Sequence, residues 1–171
     1  MVDLTDFIRD IPDFPKAGII FKDITPLLGD PGAFRTTIER MADPYRDGGV
    51  ELIVGIESRG FIFGAAMALE LGLGFVPIRK PGKLPSETIS AEYELEYGTD
   101  TIQIHTDAIV EGQKIALVDD LLATGGTMAA ACKLVSELNA QIAGISFLIE
   151  LDFLEGRKKL GDFPIHTQIN Y

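Results

Sequence analysis

Lys114-Ile115-Ala116-Leu117-Val118-Asp119-Asp120-Leu121-Leu122-Ala123-Thr124-Gly125-Gly126-Thr127 decides how the rest of the chain is read. Lys114 to Val118 is mostly apolar and β-branched, which predicts a buried strand ending at two adjacent carboxylates. A loop of small residues follows. Met128 to Leu138 then carries Met128, Ala131, Cys132, Val135 and Leu138 at helical spacing. Carboxylates at the C-terminal end of a strand lie where open α/β sheets bind ligands. A small-residue loop entering a helix aims several backbone N–H groups at one anion, and the helix dipole favours negative charge there. The glycines bring the backbone close because they lack a Cβ. The stretch thus offers a phosphate cradle, with Asp119 and Asp120 as acceptors for hydroxyls or a cation. A sugar phosphate needs both. No Lys follows the glycines, so the loop is not a Walker A loop, and it is not a GxGxxG turn.

The 171 residues fit one domain, long enough to bury ~70% of the unfolded surface. A net charge of -11 argues against nucleic acid or an anionic membrane as partner. The single cysteine, Cys132, excludes an internal disulfide and fits a reducing, cytoplasmic setting. Its place on the apolar helix face makes it a core residue. Met1 to Asp6 lacks the apolar run of a signal peptide, and Phe61 to Leu69 is too short to span a bilayer.

Leu4, Phe7, Ile8 and Ile11 recur at helical spacing and predict a short first helix ended by Pro12 and Pro15. Gly18 to Thr25 reads as an irregular extended segment stopped by Pro26. Asp30-Pro31 is an N-cap and N1 pair for a helix carrying Phe34, Ile38, Met41 and Ala42. Leu52 to Ile56 and Phe75 to Ile78 read as buried strands with a helix between them. Together with the strand at 114 and another from Ile142 to Ile149, they predict βαβ units and a mainly parallel sheet, in an order the sequence does not give. Arg79-Lys80-Pro81-Gly82-Lys83-Leu84-Pro85 breaks the pattern. Beyond it, Ala91, Tyr93, Leu95 and Tyr97 alternate with Glu92, Glu94 and Glu96, a period-2 strand that turns at Gly98 and returns over Thr101 to Ile104. Residues 79–105 therefore predict a long excursion with a hairpin over the strand ends. Glu155 to Leu160 reads as a short helix, with a tail carrying Ile165 and Ile169. His105 and His166 stand alone, with no ligand spacing around either.

Asp119-Asp120-Leu121-Leu122-Ala123-Thr124-Gly125-Gly126-Thr127 resembles the phosphoribosyl pyrophosphate signature of type I phosphoribosyltransferases, in the form found in the adenine phosphoribosyltransferases. Two other stretches resemble the same family: Phe14-Pro15-Lys16-Ala17-Gly18-Ile19-Ile20-Phe21-Lys22-Asp23-Ile24 and Gly55-Ile56-Glu57-Ser58-Arg59-Gly60-Phe61. The resemblance covers roughly residues 7–160. It implies an α/β fold with a central parallel sheet flanked by helices, a projecting hairpin (the mobile catalytic loop, 79–105) and a small N-terminal hood (1–30). The reaction it implies is adenine plus 5-phosphoribosyl-1-pyrophosphate giving AMP and pyrophosphate, in a homodimer. Neighbouring possibilities are a hypoxanthine or xanthine acceptor, or a regulator that senses phosphoribosyl pyrophosphate without turnover.

By the same resemblance, Ala123, Thr124, Gly125, Gly126 and Thr127 hold the 5′-phosphate, and Asp119 and Asp120 the ribose hydroxyls. Arg59, Arg79, Lys80 and Lys83 contact pyrophosphate. Phe21 stacks on the purine, and the Ile20 backbone reads its edge. On pattern alone Phe21 reads as core, and each cation as a solvated surface charge. Many relatives carry Arg where this chain has Lys22, and a point charge in place of a planar fork leaves a side-chain contact to the base open. Glu96, beside Tyr97, is implied as the acid–base group, whereas on pattern Glu92, Glu94 and Glu96 are equivalent. Mg²⁺ is expected on pyrophosphate and ribose oxygens, with no direct protein ligand. A non-proline cis peptide is expected at Ser58–Arg59.

Overall fold

The computed structural model describes residues 2–94 and 98–171. The chain opens on a 3-10 turn, Leu4–Phe7, capped by the Asp3 carboxylate accepting from the Thr5 N–H. The expected helix goes no further, because Ile8 is already extended. One turn is too short to sustain a helix alone. The backbone instead pairs as strand β1 (Arg9–Pro12) antiparallel with β2 (Ile20–Asp23), with Ile11 opposite Phe21. This two-stranded ribbon is the hood. Helix α1 (Thr25–Gly29) follows, with Pro26 in its first turn. Pro26 therefore starts a helix and does not stop a segment: its missing N–H has no intrahelical partner to lose at that position. Helix α2 (Pro31–Ala42) begins where Asp30 predicts, the carboxylate accepting from the N–H groups of Gly32 and Ala33.

Strand β3 (Leu52–Ile56), helix α3 (Gly60–Leu71) and strand β4 (Gly74–Ile78) form the first βαβ unit. The excursion forms a hairpin of β5 (Thr88–Glu94) and β6 (Thr99–His105), paired from Thr88↔His105 to Glu94↔Thr99. The chain then returns through β7 (Lys114–Leu122), α4 (Gly126–Glu137), β8 (Gln141–Glu150) and β9 (Ile165–Asn170). The central sheet has the order β4-β3-β7-β8-β9, every neighbouring pair parallel. Three differences from the expected elements stand out. β7 runs four residues past Val118, because pairing with β8 continues to Leu122↔Glu150. The tail is a fifth, edge strand, whose alternating Ile165 and Ile169 are too few to announce it. The expected 155–160 helix is a 3-10 turn, Gly156–Lys159, preceded by another at Asp152–Leu154.

Two cores separate the layers. Val54, Ile56, Leu117 and Phe147 face α4 and the hairpin's Ala91, Ile102 and Ile104. Ile53, Ala116, Val118 and Leu148 face Met41, Phe63 and Met67 of α2 and α3. The hairpin is thus half core: one face packs on α4 and the other carries exposed Glu92 and Glu94. From β3 the chain steps outward to β4, and from β7 it steps the opposite way to β8. Right-handed crossovers running in opposite directions put their helices on opposite faces. The strand ends of β3 and β7 therefore diverge, and this switch point is where an open α/β sheet leaves a crevice. No helix among the described residues is long and apolar enough to cross a membrane.

Candidate active site

The crevice is built from the two loops that leave β3 and β7. On the β7 side, residues 121–128 line a small pocket of about 70 Å³ together with Asp119 and Phe147. Gly125 is the N-cap of α4 at φ 78, and no side chain caps that helix. The first-turn N–H groups have no intrahelical acceptor, so they face the pocket side of a positive helix end. Gly125 itself serves differently from the expectation that its missing Cβ admits a ligand. A Cβ there would lie 2.4 Å from the Gly156 carbonyl oxygen, so the space it leaves is filled from behind by the chain. The hairpin closes the other flank, where a Cβ on Gly126 would lie 3.2 Å from the Glu94 carbonyl oxygen.

Asp120 is 5% exposed, and its backbone N–H donates to Asp119 Oδ1 at 2.9 Å. Burial pushes the Asp119 carboxyl well above the usual carboxylate range, and the charge of Asp120 beside it adds to the rise. Burial raises Asp120 too, but the Arg59 guanidinium opposes it. Arg59 Nη2 stands 2.9 Å from Asp120 Oδ2. That buried oxygen has no hydrogen bond of good geometry, so it is held by charge alone and keeps an acceptor free. Asp120 is thus the ionised partner, and Asp119 takes the proton more readily.

On the β3 side, Arg59 reaches across the crevice and also lies over the Phe21 ring, 5.2 Å from its centroid. Phe14 meets that ring edge-on at 5.2 Å. Phe21, Arg59 and Asp120 therefore form one row from the hood to the β7 strand end. Strand alternation turns the neighbours of Phe21 the other way. Ile20 is 57% exposed. Lys22 is bound to Asp10 at 2.7 Å and lies over the Tyr171 ring at 3.5 Å, away from the row. The non-proline cis peptide is Glu57–Ser58, one bond earlier than expected.

The cations of the 79–83 segment are brought together, but on a carboxylate. Glu57 accepts from Arg79 Nε at 3.3 Å, from the Lys80 N–H at 3.1 Å and from Lys83 Nζ. Burial pushes the Glu57 carboxyl up. The hydrogen bonds from Lys83, Lys80 and Arg79 outweigh it and bring the carboxyl down to about 2. Lys80 Nζ donates to Tyr93 Oη at 2.7 Å and to Asp100. Glu96 and Tyr97 lie outside the described residues.

A family model for the phosphoribosyl transferase domain matches residues 31–162. An adenine phosphoribosyltransferase of Halothermothrix orenii is 61% identical over 166 residues, 97% of this chain and 98% of that protein. The crystal structure of the adenine phosphoribosyltransferase of Thermoanaerobacter pseudethanolicus superposes with a TM-score of 0.95 at 56% identity, over 98% of each chain. That of Saccharomyces cerevisiae, solved with adenine and an imino-altritol bisphosphate, gives 0.92 at 44% identity, over 96% of each chain. The chain belongs to the phosphoribosyltransferase family, in its adenine phosphoribosyltransferase branch.

Within this phosphoribosyltransferase, Glu57 and Gly156 hold parts of the site that sequence reading leaves without a role, and Tyr171 holds Lys22 away from it. Glu57 could have been noticed as a carboxylate at a strand end beside a cationic segment. Nothing in the sequence marks Gly156 as the partner of Gly125. Among the described residues, no group of three or more His, Cys, Asp or Glu side chains forms a metal cage. The crevice offers two carboxylates, one of them ion-paired. That donor set fits a hard cation carried in on substrate oxygens, not one held by the protein alone.

Proposed function

We propose that the chain transfers the 5-phosphoribosyl group of 5-phosphoribosyl-1-pyrophosphate to adenine, releasing AMP and pyrophosphate, a purine-salvage reaction. The row Phe21–Arg59–Asp120 beside the 123–127 loop carries this reading. It sets an aromatic platform, a cation and ribose acceptors along one crevice, with a positive helix end at its far side. In this reading the 5′-phosphate accepts from the N–H groups of Ala123 to Thr127, and the ribose hydroxyls donate to Asp119 and Asp120. Phe21 stacks on the purine, the Ile20 backbone meets its edge, and Arg59 turns to pyrophosphate. Arg79, Lys80 and Lys83 supply further charge once exchanged from Glu57 and Asp100.

The N9 lone pair of adenine forms the bond to C1′ as the C1′–O bond to pyrophosphate breaks, and that bonding pair leaves on pyrophosphate. Positive charge gathered on the ribose ring meets the acidic pair, which is already in place. Glu96, with Tyr97 beside it, accepts the proton that the purine ring gives up from N7 as N9 becomes bonded to C1′. Asp119 and Asp120 would lie beside a Mg²⁺ carried in with the substrate, whose charge would offset the repulsion of a polyanion entering an acidic chain.

We also place the working form as a homodimer in the cytoplasm. Helix α3 supports the pairing: its outward Ile62 and Leu69, one helical heptad apart, are exposed at 39% and 85%, and an apolar stripe calls for cover. Supplying phosphoribosyl pyrophosphate and Mg²⁺ with adenine, hypoxanthine or xanthine in turn, and resolving AMP, IMP and XMP, tests the proposal. AMP should dominate. Dominant IMP or XMP assigns another base, and tight binding without any product assigns a sensor.

A further inference from the structure

The 122–125 loop is wedged from behind. A Cβ on Gly156 would lie 2.3 Å from the Ala123 carbonyl oxygen and 3.1 Å from the Gly125 nitrogen, and a Cβ on Gly125 would lie 2.4 Å from the Gly156 carbonyl oxygen. Real Cβ atoms do not come that close, so two bare backbones are in van der Waals contact. The ligand side of the loop therefore has a position only as fixed as Gly156 behind it. Nothing in Gly156 holds it there. It follows Glu155, a non-glycine at φ 51, and starts the short 3-10 turn Gly156–Lys159.

The next residue supplies the anchor. Arg157 Nε and Nη2 each donate at 2.6 Å to the two oxygens of Glu150, a fork on a carboxylate that is 3% exposed. Arg157 Nη2 also donates to Thr167 Oγ1 at 3.3 Å, and Nη1 to the Ile165 carbonyl at 3.4 Å. Glu150 closes β8 opposite Leu122. The Leu151 N–H donates to the Leu122 carbonyl at 2.9 Å. Fork, strand end and loop thus form one closed circuit: Glu150, Arg157, Gly156, Gly125, Leu122 and back to β8. Bidentate Arg–carboxylate pairs fix direction as well as distance. A point charge at 157 would keep the attraction and lose the direction.

We propose that Arg157 is a positioning residue for sugar-phosphate binding: its fork on Glu150 presses Gly156 against the 123–127 loop and sets where that loop's N–H groups point. The inference rests on the reading of this loop as the 5′-phosphate site. It needs no contact between Arg157 and any substrate. The expected signature is accordingly selective: phosphate-bearing ligands weaken, and the free base does not.

The test is the dissociation constant of ribose 5-phosphate, of AMP and of adenine for wild type, Arg157→Lys, Glu150→Gln, Gly156→Ala and Thr127→Val. Partial unfolding raises every apparent dissociation constant by the same factor, so the ratio of the ribose 5-phosphate constant to the adenine constant leaves the answer readable. Losing one good hydrogen bond to a charged phosphate costs roughly tenfold to a hundredfold in affinity. Arg157→Lys and Glu150→Gln should weaken ribose 5-phosphate and AMP by that order and leave adenine unchanged. Gly156→Ala, which drives a methyl group into the loop from behind, should reproduce the same pattern. Thr127→Val removes a hydroxyl from the lining of the loop's pocket, a donor available to the phosphate beside the N–H groups, and so reports on the site assignment. If it weakens ribose 5-phosphate while Arg157→Lys and Glu150→Gln do not, the positioning role is overturned and the phosphate site stands. If Thr127→Val and Gly156→Ala both leave ribose 5-phosphate unchanged, the phosphate reading of the loop fails, and the inference fails with it. Equal losses for adenine and ribose 5-phosphate in Arg157→Lys would reduce Arg157 to general support of the fold.

Discussion

Gly60 has no room for a side chain because Asp119 occupies it: a Cβ there would lie 2.8 Å from Asp119 Oδ1 and 2.9 Å from the Val118 carbonyl oxygen. The N-terminus of α3 is thereby set against the acidic pair at the end of β7. Gly60→Ala must push the carboxylate, the helix or both. Overpacking of this kind costs about 1–3 kcal/mol. The expected outcome is a lower melting temperature and, at a temperature where the variant is folded, kcat/KM down by about tenfold or more through loss of a charged hydrogen bond. Thermal unfolding and steady-state rates on the same preparation check it. Wild-type kcat/KM in Gly60→Ala would show that the position of Asp119 is immaterial.

Asp119 sets activity against stability. Burial first, and Asp120 second, raise its carboxyl above the unfolded value. Between the two pKa values the folded chain holds a proton that the unfolded chain has released. Stability from this group therefore falls as pH rises through that window. Asn keeps the acceptor that the Asp120 N–H uses and removes the charge. Asp119→Asn should melt higher than wild type near pH 7, with the gain gone at about pH 3, below the ordinary carboxylate range. The same variant should lose about tenfold or more in kcat/KM. An Asp119→Asn protein that melts lower at neutral pH would show that this carboxylate is stabilised, not strained, by its surroundings.

Phe21 and Lys22 are neighbours with opposite facings, and they should separate in the kinetics. Phe21→Ala removes the platform in the row with Arg59 and should raise the adenine KM by about tenfold, an aromatic stacking contact being worth ~1–3 kcal/mol. Lys22→Gln breaks the contact with Asp10 and the Tyr171 ring and should lower the melting temperature while leaving the adenine KM close to wild type. An adenine KM raised equally by both would place the Lys22 side chain on the base.

The main lines of this molecule are legible because they are local. The β7 strand, its acidic end and the glycine loop lie in one stretch, and Asp30-Pro31 announces α2 by itself. What escapes the sequence is long-range. Glu57 binds Arg79 and Lys83 from 22 and 26 residues away, and no pattern in either segment records the other. The first helix fails because residues 9–12 find strand partners at 20–23, a pairing that helical spacing cannot foresee. Strand β9 hides because an edge strand needs only two inward apolar residues. Lys22 turns from the crevice for the same reason that Phe21 enters it, since consecutive strand residues face opposite ways. Resemblance points to the right loop for the cis peptide and to the wrong bond within it.

Glu92, Glu94 and Glu96 are equivalent on pattern, and the family resemblance alone singles out Glu96. Glu92 and Glu94 are exposed. Glu96→Gln should lower kcat by about 10²–10⁴-fold, the usual range for a general acid–base group, with little change in phosphoribosyl pyrophosphate binding. Glu92→Gln and Glu94→Gln should stay near wild type, as surface substitutions do. Stopped-assay kcat values for the three variants decide it. Three equal values would leave catalysis to positioning and electrostatics.

The most direct measurement of the central claim follows both products in one reaction of the chain with adenine, 5-phosphoribosyl-1-pyrophosphate and Mg²⁺, beside the Asp119→Asn, Asp120→Asn double variant. The account predicts AMP and pyrophosphate appearing in equal amounts with wild type, and a rate lower by about tenfold or more in the double variant, because the effects of adjacent, coupled carboxylates do not simply multiply. Absence of AMP from the wild-type reaction, or an unchanged rate in the double variant, would contradict it.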